Sequence, residues 1–146
     1  MDEPLFAYGT LRPGRAPVAI AAVVATLRPL GAARVRGRLY DLGPFAGAIP
    51  DRDAPAWIHG ELVARTVDSP PLAWFDAYEG PGYRRVLTTA VDARGDRVPC
   101  WIYECARAPD ASREIPGGEW NPRAGRGTPR GRGRRGPRSA TRSSPR

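Results

Sequence analysis

After Trp120 the chain carries no residue that could help to build a core. Residues 121–146 contain 9 Arg, 5 Gly and 4 Pro, and no aromatic, large aliphatic or acidic residue. Such a segment cannot bury enough apolar surface to offset the entropy lost on ordering it. The sequence therefore predicts a folded body over residues 1–121 and a disordered, Arg/Gly/Pro-rich tail over 122–146. The body has the size of one domain.

This split also decides how the net charge of +8 is read. In residues 1–120, 14 Arg face 15 acidic residues, so the whole basic excess belongs to the tail. All 23 basic residues are Arg, a pattern we attribute to coding bias rather than to guanidinium chemistry. The run Arg130-Gly131-Arg132-Gly133-Arg134-Arg135 can hold RNA weakly and without sequence preference. The plainer reading is a solvated extension. A nearly neutral body has no electrostatic reason to seek phosphates.

Other partners are narrowed in the same way. Met1-Asp2-Glu3-Pro4 is acidic and lacks the positive start of a secretory signal. The longest apolar run, Pro17 to Leu27, falls well short of the roughly 20 residues that cross a bilayer. Cys100 and Cys105, on one strand, would face opposite sides, and their spacing is neither a redox pair nor a staple. With His59 the lone histidine, no zinc site is expected. These features predict a cytoplasmic protein without membrane, metal or cofactor. They leave the oligomeric state open.

Within the body, Leu5 to Tyr8 reads as a short buried strand. It runs into the turn-rich Gly9-Thr10-Leu11-Arg12-Pro13-Gly14. Ile20, Val23, Val24 and Leu27 share one face of a helix predicted over Ala16–Leu27, which Pro29 and Gly31 end. Arg34 to Tyr40 alternates charged and apolar residues as a half-buried strand does. Gly43 to Ala48 reads as a loop. Trp57 to Ala64 is a strand with Ile58, Gly60 and Leu62 on one face.

A second helix follows, with Ser69 as N-cap and prolines in its first turn. It stops at Gly80-Pro81-Gly82. Tyr83–Val91 and Arg97–Cys105 form a hairpin about Ala93–Asp96. Strands dominate and helices do not alternate with them, which excludes a doubly wound parallel sheet. The expected class is α+β: a small, twisted, mostly antiparallel mixed β-barrel with two packed helices.

One residue in this scheme asks for a chemical explanation. On a helical wheel begun at Leu72, Phe75 lies at about −60° and Glu79 at about −20°. The carboxyl therefore points where the apolar side chains point. A charge on an inward face is costly unless it is paired or has a task. Burial would raise its pKa and make it a proton shuttle near neutral pH. The bland alternative is a frayed helix end, or pairing with an arginine such as Arg84. Asp76, at about +40° on the same wheel, competes for the role. The junction Tyr8-Gly9-Thr10-Leu11 is a second feature, because backbone N–H groups leaving a buried strand can form an anion-binding concavity.

Taken in order, these segments resemble the γ-glutamylcyclotransferase family, which includes AIG2-like and γ-glutamylamine cyclotransferase-like members. The matching stretches are Phe6-Ala7-Tyr8-Gly9-Thr10-Leu11, Gly37 to Gly43, Gly47-Ala48-Ile49-Pro50 and His59-Gly60-Glu61-Leu62. They continue with Asp76-Ala77-Tyr78-Glu79-Gly80, Tyr83-Arg84-Arg85 and Gly118-Glu119-Trp120. The resemblance covers residues 4–121 and implies a mixed α/β fold with a small barrel.

It also implies a reaction, the cyclisation of a γ-glutamyl compound to 5-oxoproline with release of an amine or amino acid. In that family the acid after the short helix carries the proton, and Glu79 stands there. The glutamyl head is held by the loop that Tyr8, Gly9, Thr10 and Leu11 match. Tyr103 is a further candidate to line the pocket, where its hydroxyl would orient Glu79; the plainer reading is a strand tyrosine with its hydroxyl at the surface. Two other readings remain at this stage: a non-catalytic small-molecule binding domain on the same fold, and an RNA-associated protein acting through its tail.

Overall fold

The computed structural model describes residues 3–121; the tail expected to be disordered lies outside the described residues. Six strands carry the architecture: β1 (Leu5–Ala7), β2 (Arg28–Asp41), β3 (Ala46–Pro50), β4 (Trp57–Ala64), β5 (Tyr83–Asp92) and β6 (Arg97–Cys105). Two helices accompany them, α1 (Ala21–Val24) and α2 (Leu72–Glu79).

Pairings β1–β4, β4–β2, β2–β5, β5–β6 and β6–β1 return to their start and close a five-stranded barrel. β3 is the extra strand, antiparallel to the last five residues of β2. Most pairs are antiparallel; β1–β6 and β3–β6 are parallel, which makes the barrel mixed. The α+β barrel expected from the strand pattern is therefore the one observed.

Alternation along the strands sorts the apolar residues into two layers. Phe6, Val35, Leu39, Ile58, Leu62, Cys100 and Ile102 fill the barrel. Leu5, Ala7, Val63 and Tyr103 face outward, where Ile20, Val24, Leu27 and Phe75 cover them. β1 thus serves both layers within three residues.

Four local expectations are corrected. The first helix is only a 3-10 turn over Val18–Ile20 followed by the four residues of α1. Its predicted inward residues Ile20, Val24 and Leu27 are still buried, so the periodicity located the face but not the length. β2 begins at Arg28, running through Pro29 and Gly31, because a bulge between them absorbs the extra residue. Gly43–Ala48, expected as a loop, contains the start of β3. The glycine that signalled a loop is a packing requirement: a Cβ on Gly47 would lie 2.4 Å from Cys105 Sγ.

Ser69 is not an N-cap either. Pro71 caps α2 without a side-chain bond. Ser69 Oγ accepts instead from the Thr66 N–H at 2.8 Å, while Thr66 Oγ1 donates to the Thr26 carbonyl at 2.7 Å. This ties the end of the first helical turn to the approach of α2.

The C-terminal segment closes the barrel. Trp120 is buried in the interior cluster, and the His59 N–H donates to the Gly118 carbonyl at 2.7 Å.

Candidate active site

A cavity opens where β1 leaves the barrel beside the end of α2. It has about 370 Å³ of free space, counting its open mouth. Glu79, Tyr8, Gly9, Thr10, Leu11 and Tyr103 all line it. Phe6, Ala7, Tyr83, Phe45 and Ala46 line it as well.

Glu79 is the last residue of α2. Phe75, one turn earlier, is wholly buried and sets the helix orientation, which carries Glu79 into the cavity. Arg84, the arginine that might have neutralised it, pairs with Glu104 at 2.9 Å. Among the described residues Glu79 has neither an ion pair nor a hydrogen-bond partner. Burial raises its pKa from the ordinary 4.5 to about 7. The exposed carbonyls at the helix C-terminus disfavour a negative charge in the same direction.

Asp76 behaves in the opposite way. Arg85 Nε donates to Oδ1 at 2.8 Å and Arg85 NH2 to Oδ2 at 3.2 Å. The Tyr103 hydroxyl adds a third bond to Oδ1 at 2.7 Å. The Arg85 hydrogen bonds, chiefly, hold the Asp76 carboxyl below its usual range. The two acids of one helix are thereby separated: one stays charged, and the other can exchange a proton near neutrality. Tyr103 lines the cavity, but its hydroxyl serves Asp76, so the expectation that it orients Glu79 is corrected. Asp76→Asn is expected to lower stability by about 1 kcal/mol, the scale of a bidentate surface pair. Thermal melts of the two proteins at pH 7 check this.

Around Glu79 stand phenols that cannot neutralise it. The Tyr8 hydroxyl donates to the Tyr103 carbonyl at 2.5 Å, and the Tyr83 hydroxyl donates to the Ala46 carbonyl at 2.7 Å. Burial raises the pKa of both, and the charge of Glu79 adds to the effect. They remain neutral donors to backbone and leave the carboxyl free for something that enters. The role of Tyr83 escaped the sequence reading, although it follows directly on the Gly80-Pro81-Gly82 stop that positions it.

The loop after β1 is rigidly held. A turn closes with the Arg12 N–H on the Gly9 carbonyl at 3.0 Å. Thr10 Oγ1 lies 3.0 Å from the Tyr78 hydroxyl, joining the loop to α2. Arg12 bridges Glu61 and Glu119, each at 3.0 Å, and Arg15 reaches the Trp120 carbonyl. These clamps use the charged residues of three separate sequence segments, which only the fold brings together. Among the described residues, the N–H groups of Gly9, Thr10 and Leu11 donate to no backbone or side-chain acceptor. All three residues line the cavity.

The family model for gamma-glutamyl cyclotransferase, AIG2-like proteins matches residues 5–122. The chain belongs to this family. An AIG2-like protein from Mus musculus is 19% identical, with a TM-score of 0.66 over 88% of this chain and 96% of that one. A structure described as a gamma-glutamyl cyclotransferase is 16% identical, with a TM-score of 0.54 over 72% of this chain and 67% of that one. YkqA from Bacillus subtilis is 21% identical, with a TM-score of 0.61 over 82% of this chain. The match spans 40% of the length of that protein. At these identities the likeness is one of fold. No curated protein matches the chain. Membership of the gamma-glutamyl cyclotransferase, AIG2-like family supports an enzyme at the level of the family. No helix among the described residues is long and apolar enough to cross a membrane.

The raised pKa of Glu79 has a consequence for stability. Between pH 4.5 and about 7 the native carboxyl binds a proton that the unfolded one has lost. Stability is therefore highest below this window and falls as pH rises through it. Glu79→Gln removes the effect, so the variant is expected to lose less stability than wild type between pH 5 and pH 8. Denaturant unfolding at the two pH values measures the difference.

Proposed function

We propose that this protein cyclises a γ-glutamyl compound to 5-oxoproline and releases the attached amine, with Glu79 as general base and then general acid. The observation that carries the reading is an unpartnered carboxyl, poised near neutrality, in a cavity whose other wall is a loop of free N–H donors.

The substrate brings its own nucleophile, the α-amine of the glutamyl head. At pH 7 that group is largely protonated, because its pKa is roughly 8 to 9. Glu79 as carboxylate takes one proton from it. The nitrogen attacks the γ-carbonyl carbon and forms the C–N bond of a five-membered ring. Proximity is supplied by the substrate itself, since both reacting groups sit on one molecule. The developing oxyanion and the α-carboxylate face the N–H groups of Gly9, Thr10 and Leu11, which are suited to either charge. As the bond to the departing nitrogen breaks, Glu79 returns its proton there. The ring nitrogen sheds its second proton to solvent, and the released amine takes one up.

The test is 5-oxoproline release by purified protein across a panel of γ-glutamyl compounds. Release from at least one member is expected, with kcat/KM rising as pH climbs through about 7, where the carboxylate forms. No release from any member by folded protein would end the reading. All the residues invoked lie within 8–79, so deletion of residues 122–146 is expected to leave turnover unchanged. Assay of the truncated chain beside the full one checks this, and a loss of turnover would assign the tail a part in the reaction.

A further inference from the structure

Glu79 and the loop after β1 are joined through the residue that precedes Glu79. The Tyr78 hydroxyl oxygen lies 3.0 Å from Thr10 Oγ1. Thr10 belongs to the stretch Tyr8 to Leu11 that lines the cavity. The guanidiniums that hold this loop attach farther along, at Arg12 and Arg15. The hydroxyl of Tyr78 is also placed before any substrate arrives. Its ring stacks on Trp74, one helical turn earlier, with centroids 5.7 Å apart and 3° between the planes. Trp74 in turn meets Phe75 edge-on at 5.1 Å, and Phe75 is wholly buried. Tyrosine turns on two side-chain torsions, so this stack leaves the hydroxyl little freedom.

The chemistry of the two hydroxyls sets the direction of their bond. A phenol is a stronger acid than an aliphatic alcohol, so it is the better donor of the pair. With Tyr78 donating, Thr10 Oγ1 accepts, and the Thr10 proton is left for another oxygen. Hydrogen bonds in a chain polarise one another, so a hydroxyl that accepts one bond gives the next more strongly. Among the described residues neither hydroxyl has a further hydrogen-bond partner.

We infer that Tyr78 is a positioning residue of this site: it donates to Thr10 Oγ1 and so aims the Thr10 hydroxyl at an oxygen of the bound substrate. This role rests on the cyclising reaction proposed above. It adds one side-chain donor to the backbone N–H groups of Gly9, Thr10 and Leu11. It also gives the general base and the donor loop a common anchor, since Tyr78 and Glu79 are neighbours at the end of α2.

Tyr78→Phe keeps the ring and its stack on Trp74 and removes one oxygen. It is expected to lower kcat/KM for 5-oxoproline release by about five- to tenfold, the worth of one hydrogen bond. Thr10→Val removes the hydroxyl through which Tyr78 acts and should lose at least as much, whereas Thr10→Ser should keep most of the rate. The double variant decides the matter: in a Thr10→Val background, Tyr78→Phe should bring no further loss. The pH at which kcat/KM rises should be the same in Tyr78→Phe as in wild type, because the bond does not touch the Glu79 carboxyl. Undiminished kcat/KM in Tyr78→Phe would overturn the inference and leave the cyclising reaction standing. So would losses that multiply in the double variant, the sign of two independent structural effects. So would a displaced pH profile in Tyr78→Phe, which would show that α2 itself had moved. Absence of 5-oxoproline from wild type with every γ-glutamyl compound of the panel would remove the reaction and the role together.

Discussion

Glu79→Gln is expected to reduce 5-oxoproline release by about 10²–10⁴-fold, the contribution of a positioned general base and acid. That corresponds to about 3–5 kcal/mol of lost transition-state stabilisation. The amide keeps the shape of the carboxyl but can neither accept the ammonium proton nor return it. The same variant should be more stable than wild type above pH 7. Burial moves the Glu79 pKa from 4.5 to about 7, and the native state bears that cost once the group ionises. The cost is about 3 kcal/mol at most, less whatever screening water provides at the mouth. A variant that loses turnover while gaining stability at pH 8 has not lost its fold. Kinetics and urea unfolding on one preparation measure both effects. Turnover that survives Glu79→Gln would remove Glu79 from the mechanism. Asp76 would be a poor successor, since Arg85 and Tyr103 keep it ionised.

Gly118→Ala is expected to produce the largest loss of stability. Gly118 has a φ of +68°, and a Cβ there would lie 1.8 Å from the Trp57 carbonyl oxygen. Neither problem has an easy escape, because the Gly118 carbonyl accepts from His59 and its N–H donates to Ile115. Backbone strain and overpacking each cost about 1–3 kcal/mol. Together they should lower the melting temperature by about 10 °C or more in a domain of this size. The effect reaches the cavity, because Glu119 and Trp120 would shift and release Arg12 and Arg15 from the loop after β1. KM should therefore rise along with the loss of stability. Gly117→Ala is the control, since nothing lies within 4 Å of a Cβ at that position. Calorimetry on the two variants separates a steric effect from a general loss of glycine.

Much of this architecture was legible in the chain itself. The one-face pattern of Ile58, Gly60 and Leu62 located β4, and the turn at Ala93–Asp96 located β5 and β6, nearly to the residue. The wheel carrying Leu72, Phe75 and Glu79 placed the acid inward from helical geometry alone. β3 was not legible, because Gly47 and Pro50 read locally as punctuation, and only the approach of Cys105 explains the glycine. The length of the first helix was hidden for a related reason: Ile20, Val24 and Leu27 reach the interior from a 3-10 turn as well as from an α-helix. The clamp on the loop was beyond local reading, since Arg12, Glu61 and Glu119 meet only across the closed barrel. The hydroxyl of Tyr103 was assigned to the wrong acid, since one turn of helix separates Asp76 from Glu79 and periodicity cannot choose between them.

The first strand of the chain is completed by the last. Leu5 pairs with Val63 on one side and with Trp101 on the other. Contacts of such sequence separation form slowly, because a long loop must close before they reward the chain. A nascent polypeptide must therefore emerge past Trp101 before β1 can be fully seated. The donor loop at Gly9–Leu11 hangs directly from that strand. Recovery of ligand binding after a refolding jump should accordingly lag behind formation of the β5–β6 hairpin, whose partners are neighbours in sequence. A chain interrupted before β6 would hold both Glu79 and its loop and still have no site.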